Sequence, residues 1–167
     1  MAILAFHGGR PGIRRFRRDA PKATAGQFCD RGFFFSTDRG VAARYARDFH
    51  AYGVVYRVAL DLDCVVTLTP REWESLHRGH RPDAPEIRRV GAEVAIELAT
   101  GVLPPEGADL VDWLSGQGVQ ALVKDARGTA AESEILVFGE DRIAILGVEP
   151  PDDGPEEAPT ALPEPGR

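Results

Sequence analysis

The sequence predicts an α+β domain. Strand-like segments come first, helix-like segments gather in the middle, and strand-like segments return at the end. That order lacks the regular strand–helix alternation of a doubly wound sheet. No internal repeat is visible.

Each element follows from local chemistry. AILAFHGG opens as a short buried strand that His7 ends and that runs into a glycine break at Gly8-Gly9. From Arg10 to Arg31 no period appears. A loop that long in a compact domain is functional or flexible. Gly32-Phe33-Phe34-Phe35-Ser36 is a short aromatic strand. Next, Thr37 or Asp38 is an N-cap, and Val41, Ala42, Tyr45 and Phe49 follow at helical spacing, predicting a helix over 39–49. VVYRVALDLD alternates with period two and reads as a strand. Pro70 sits where a first helical residue belongs and starts a helix over 70–78. Residues 85–99 also open on Pro, with Ile87, Val90, Val94 and Leu98 forming the apolar stripe of another helix. Leu110, Val111 and Leu114 mark a helix ended near Gly116, and VQALVKDA, EILVF and RIAILGV are strands.

The chain has 167 residues, enough for one domain with a substantial core. Hydrophobic residues make up 43% and charged residues 28%, an ordinary globular balance. Two cysteines, Cys29 and Cys64, exclude a disulfide scaffold and an all-cysteine zinc site. No apolar run reaches the length of a membrane span, and MAILAF lacks the basic start of a signal peptide. The expectation is a cytoplasmic, reduced protein with no membrane partner. The net charge of −6 argues against nucleic acid as a partner, but it is unevenly spread. Residues 1–50 sum to +6, 51–148 to −7 and 149–167 to −5. The last stretch also holds six of the 13 prolines and a single large apolar residue, Leu162. It reads as an acidic, disordered tail on a folded body of 1–148. Its role is either a solubilising terminus or a contact with the basic loop.

Several residues stand out as chemistry. His7 ends a strand before two glycines, where a ligand can approach bare backbone; taken alone, His-Gly-Gly reads first as a core histidine before a simple turn. Phe34 faces away from Phe33 and Phe35, and with Tyr45 it offers flat faces for a planar ring. Phe33 and Phe35 read as core. Glu134 heads an apolar strand, where a carboxylate needs a partner or a cleft. Glu132 faces the same way if that strand extends back. His77 and His80 lack further ligands for a metal, and Cys29 lacks a histidine partner for thiol catalysis. No P-loop, GxGxxG, GxSxG or HExxH occurs.

Taken in order, FHGG at 6–9, GFFFSTDRGVAARYA at 32–46 and ESEILVFGEDRIAIL at 132–146 resemble the ADP-ribosyltransferase superfamily. The resemblance is to its His–Tyr–Glu branch, that of diphtheria-toxin-like enzymes and poly(ADP-ribose) polymerases, and to small bacterial or phage members within it. It covers about 1–49 and 109–148. It implies split mixed and antiparallel sheets with flanking helices, NAD as co-substrate, and no metal. It implies His7 on the adenine-side ribose, Gly8 on the nicotinamide carboxamide, and Phe34 and Tyr45 stacked on the nicotinamide ring. Glu134 would hold the nicotinamide ribose and the positive charge that develops at its C1′. Ser36 and Arg18 join the cofactor-binding set, Arg18 as one of several arginines between the first two strands suited to a pyrophosphate. Phe34 stands where the family has a tyrosine, keeping the stacking face and losing the hydroxyl. Ser36-Thr37 and Glu132-x-Glu134 also resemble arginine-specific members, which carry Arg where His7 stands; Glu132 is then an acceptor-orienting group only.

The function implied is NAD-dependent mono-ADP-ribosyl transfer to a protein or nucleic-acid acceptor, by a bacterial toxin or effector delivered into a target cell or kept in the cytoplasm. An antitoxin or immunity protein is the implied partner. The alternatives are an NAD glycohydrolase, an RNA 2′-phosphotransferase, which the acidic body disfavours, and a catalytically dead NAD-binding module.

Overall fold

The structure, a computed structural model, describes residues 2–19, 31–79, 90–105 and 108–152. The expected helix start at Pro85, and Lys22, Cys29 and His80, lie outside them. Strands β1 (Ala2–Gly9), β2 (Phe33–Phe35), β3 (Val54–Asp61), β4 (Val65–Leu68), β5 (Ala121–Lys124), β6 (Glu134–Val137) and β7 (Ile143–Glu149) combine with helices α1 (Arg39–Phe49), α2 (Pro70–Gly79), α3 (Val90–Thr100) and α4 (Leu110–Gly116). They form two sheets, so the fold is α+β. One is antiparallel, in the order β1-β3-β7; the other is mixed, in the order β2-β6-β5-β4, with β4 parallel to β5.

The inner faces of the sheets share one core. Ala5, Tyr56, Val58 and Leu60 from the first sheet pack with Phe33, Phe35, Ile135, Val137 and Ala121 from the second. The outer face of the mixed sheet is covered by Trp73 of α2, Ile96 of α3 and Leu110, Val111 and Leu114 of α4. Fully burying a side chain of this kind is worth roughly 1.5–3 kcal/mol. The outer face of the antiparallel sheet is covered by α1, through Ala42, Ala43 and Ala46 against Val55. Small residues on that helix let its backbone lie close to the strands.

Helix starts are set by side-chain caps. The Asp38 carboxylate accepts from the Gly40 N–H at 2.7 Å and begins α1. Thr69 and Glu72 form a reciprocal capping box at α2. The Asp109 carboxylate accepts from the Asp112 N–H at the start of α4.

Three expectations are corrected, and one strand has no counterpart among the segments read from the sequence. The glycine break after His7 is not a break, because β1 runs through Gly8 and Gly9, which pair with Val55 and Val54. Val65–Leu68 forms a strand too short and too continuously apolar to carry a period of its own. In α3, Ile96 is buried, while Leu98 of the expected stripe is 83% exposed. The body also passes residue 148: Glu149 ends β7 and accepts from the Arg39 guanidinium at 2.9 Å. Arg39 then donates to the Pro150 carbonyl, and Arg47 to the Pro151 carbonyl and the Asp152 carboxylate. Residues 150–152 are thereby laid along α1, and the expected disordered tail from 153 to 167 lies outside the described residues.

The loop after β1 has its own anchors, which its lack of period concealed. Phe16 is buried in the inter-sheet core and meets the His7, Phe33, Phe35 and Tyr56 rings. The buried Tyr56 hydroxyl donates to the Arg10 carbonyl at 2.7 Å and accepts from the Ile13 N–H at 2.9 Å. Tyr56→Phe leaves both groups without that partner. The expected loss is about 1–3 kcal/mol, read as a lower thermal midpoint with unchanged circular dichroism. A second prediction concerns His50, at the end of α1. Burial and the Arg10 charge hold its imidazole below the ordinary value of 6.5. The unfolded chain therefore binds the proton more readily, and this contribution to stability is lost as pH falls through 6.5. His50→Gln is expected to flatten the melting temperature between pH 7 and pH 5 relative to wild type.

Candidate functional site

Strands β1 and β2 are edge strands of different sheets, and one backbone bridge joins them. Phe6 N–H donates to the Ser36 carbonyl at 2.8 Å, and Ser36 N–H donates back to the Phe6 carbonyl at 2.9 Å. A cavity of about 230 Å³ opens at this junction. It is lined by Phe6, His7 and Gly8 of β1, by Phe34 and Phe35 of β2 and Ser36 just after it, by Val41, Ala42 and Tyr45 of α1, and by Glu134 of β6. Ligand pockets commonly measure ~300–1,000 Å³, so this cavity suits a small ligand or one part of a larger one. Apolar rings with a few polar groups among them are the usual make-up of a small-molecule site.

His7, Gly8, Phe34, Ser36, Tyr45 and Glu134, singled out in the sequence, are therefore brought to one cavity from four elements. Arg18 is not. Its Nε and Nη2 donate to the Phe138 carbonyl, at 3.1 and 2.6 Å, and Nη2 also reaches the Arg31 carbonyl. Its backbone N–H donates to Glu140. Arg18 fastens the first loop to the turn after β6 and takes no part in the cavity wall. Three other arginines of that region are drawn to carboxylates: Arg17 to Asp19, Arg15 to Glu140 and Arg31 to Asp109.

His7 has a defined tautomer. Its Nδ1 lies 2.8 Å from the Phe34 carbonyl, which can only accept, so Nδ1 carries the proton. In the neutral ring Nε2 is then an acceptor, suited to a hydroxyl. The ring is walled by Phe16 at 5.0 Å and Phe35 at 5.6 Å between centroids. Alternation along β2 sends Phe33 and Phe35 into the inter-sheet core, 6% and 3% exposed, and Phe34 to the other face. Tyr45 is 39% exposed, with its ring 4.4 Å from Phe49 one turn on.

Gly8 serves a purpose that the sequence reading missed. A Cβ there would lie 2.1 Å from the Ala42 carbonyl oxygen and 2.7 Å from the Ala46 nitrogen. The bare α-carbon is what lets α1, and Tyr45 with it, sit against β1.

The two acidic residues of ESE separate. β6 begins at Glu134, so Glu132 lies outside the strand and does not share its direction. Glu132 binds the Arg44 guanidinium at 2.5 Å at the surface, while Glu134 pairs with Lys124. Between them Ser133 is a clasp. Its Oγ accepts from the Thr37 N–H at 3.2 Å and hydrogen-bonds the Ser36 and Thr37 hydroxyls at 3.0 and 2.8 Å. That ties the entry of β6 to the end of β2. Ser133 and Lys124 carry no sequence signal of their own, since only strand register puts them beside the cavity. Among the described residues no group of three His, Cys, Asp or Glu could hold a metal ion, and no helix is long and apolar enough to cross a membrane.

No protein-family model matches the chain, and no curated protein sequence matches it. The site therefore rests on its own geometry. Gly8→Ala tests it directly. The added methyl must push α1 outward, at a cost of roughly 1–3 kcal/mol or more. The expected result is a lower thermal midpoint together with weakened binding of any ligand of this cavity.

Proposed function

We propose that the protein is an ADP-ribosyltransferase of the His–Tyr–Glu type, which breaks the nicotinamide–ribose bond of NAD and passes ADP-ribose to a macromolecular acceptor. The observation that carries this reading is the convergence of His7, Tyr45 and Glu134 on one mostly apolar cavity, from three separate elements. Stacking surfaces and a single carboxylate in one small cleft suit a flat cationic ring joined to a sugar. The split of the strands into an antiparallel and a mixed sheet, with helices outside them, supports the same family.

The chemistry asks little of the protein by way of acid catalysis. The C1′–N bond breaks with its electron pair going to the ring nitrogen, so a cationic nicotinamide leaves as a neutral molecule. The sugar left behind is oxocarbenium-like, as in glycoside cleavage. The acceptor's nucleophile closes on C1′ and releases its proton. A carboxylate placed where positive charge develops binds the transition state more tightly than the ground state. That is the role of Glu134. Phe34 and Tyr45 hold the ring, and the Phe34 face suffices for stacking without a hydroxyl. His7, with Nδ1 engaged by the Phe34 carbonyl, accepts from a ribose hydroxyl through Nε2. Ser36 stays on the wall of the cavity. The pyrophosphate is not assigned to Arg18, whose guanidinium is spent on backbone carbonyls.

The test is nicotinamide release from NAD by wild type and Glu134→Gln. The substitution keeps the shape and removes the charge, and the expected loss is about 10²–10³-fold in rate. Equal rates reject the proposal. Labelled ADP-ribose appearing on lysate protein or nucleic acid identifies a transferase; release of free ADP-ribose alone identifies a glycohydrolase. Absence of NAD binding by calorimetry rejects every NAD-dependent reading.

A further inference from the structure

Lys124 and Glu134 are direct partners across the β5–β6 ladder. Lys124 Nζ donates to Glu134 Oε2. The lysine side chain is 11% exposed and that of Glu134 is 36%. Nζ also lies 5.8 Å from the centroid of the Trp73 ring, and Trp73 is 3% exposed. The ammonium is thus held between an indole face on α2 and a carboxylate on β6, largely out of water. Burying an ammonium costs free energy unless it is paired, and the indole face recovers only part of it. The carboxylate is the partner that makes the position tolerable.

The pairing also constrains Glu134. Its remaining wall of the cavity is mostly hydrocarbon: Phe6, Phe34, Phe35, Val41 and Ala42. A carboxylate left alone there would be free to rotate about its side-chain bonds. Lysine occupies one oxygen from the ladder side, leaving Oε1 for a ligand.

We infer that Lys124 is a positioning residue for Glu134: it fixes the carboxylate's rotamer and leaves one oxygen for the ribose of the substrate. Resting on the role assigned to Glu134 above, it adds a residue that no motif marks. Trp73 is the floor that keeps the ammonium from turning to solvent.

The experiment measures nicotinamide release for wild type, Lys124→Met, Lys124→Arg and Glu134→Gln, with NAD dissociation constants by calorimetry. Lys124→Met is expected to lower kcat by about tenfold or more while changing the dissociation constant far less. Lys124→Arg keeps the charge and the donor and is expected to restore part of kcat. If Lys124→Met does not fold, Lys124→Gln drops the charge and gives the same comparison of kcat with the dissociation constant. A wild-type kcat in the uncharged variant, with Glu134→Gln inactive, overturns the inference and leaves the proposed function standing. Equal rates for wild type and Glu134→Gln overturn the proposed function itself. A loss of kcat that is equal in the arginine variant, or matched by an equal loss of NAD affinity, marks a merely structural lysine and overturns the inference.

Discussion

The pair of backbone hydrogen bonds between Phe6 and Ser36 is the constraint on which the rest depends. Two sheets of three and four strands could pack in many ways, but this bridge pins the edge of one to the edge of the other. Exposed edges are unstable neighbours of water, with unpaired N–H and C=O groups open to other chains. Here two edges meet, and the residues on either side of the meeting point are the ones that build the cavity. His7 follows Phe6 and reaches back to the Phe34 carbonyl, a second tie across the same junction. The end of β2 then turns into α1 at Asp38, and the helix is laid over β1. A single junction thereby sets the positions of the histidine, the aromatic wall and the helix.

The close approach of α1 is the second physical condition. Alanines at 42, 43 and 46 face a strand that has glycine at 8. Gly53, where the chain leaves the helix for β3, meets the same demand: a Cβ there would lie 2.0 Å from the Ala46 carbonyl oxygen. Larger side chains at these places would lift the helix and open the cavity. The arginines of α1 then fix it from outside, Arg39 and Arg47 to the segment after β7, and Arg44 to Glu132. Each is a partly exposed pair of modest individual worth. Together they place the chain's last described residues along the helix that carries Tyr45.

Charge in this protein follows structure more than ligand. The positive segment at 1–50 looked suited to an anionic dinucleotide, yet several of its arginines meet carboxylates or carbonyls of this same chain. The reason is geometric. Arginine forks bind backbone carbonyls and carboxylates as readily as phosphates, and loops between distant elements need such ties. The lone lysine of the β5–β6 ladder behaves differently, since its partner faces the cavity.

The sequence by itself determined the fold class, most elements and most of the polar and aromatic residues that meet at the cavity. Periodicity placed α1 at its observed limits, and Phe33 and Phe35 inside with Phe34 out, because helix and strand repeats are local properties of the backbone. His7, Gly8, Phe34, Ser36, Tyr45 and Glu134 were legible as a group only through their order along the chain. What tertiary structure alone decided is who faces whom. Strand register put Lys124 opposite Glu134 and ended β6 short of Glu132. Packing buried Ile96 and exposed Leu98, drew Phe16 of an unpatterned loop into the core, and took Arg18 away from the cavity. Those outcomes depend on contacts between residues far apart in the chain, and no local repeat or composition encodes them.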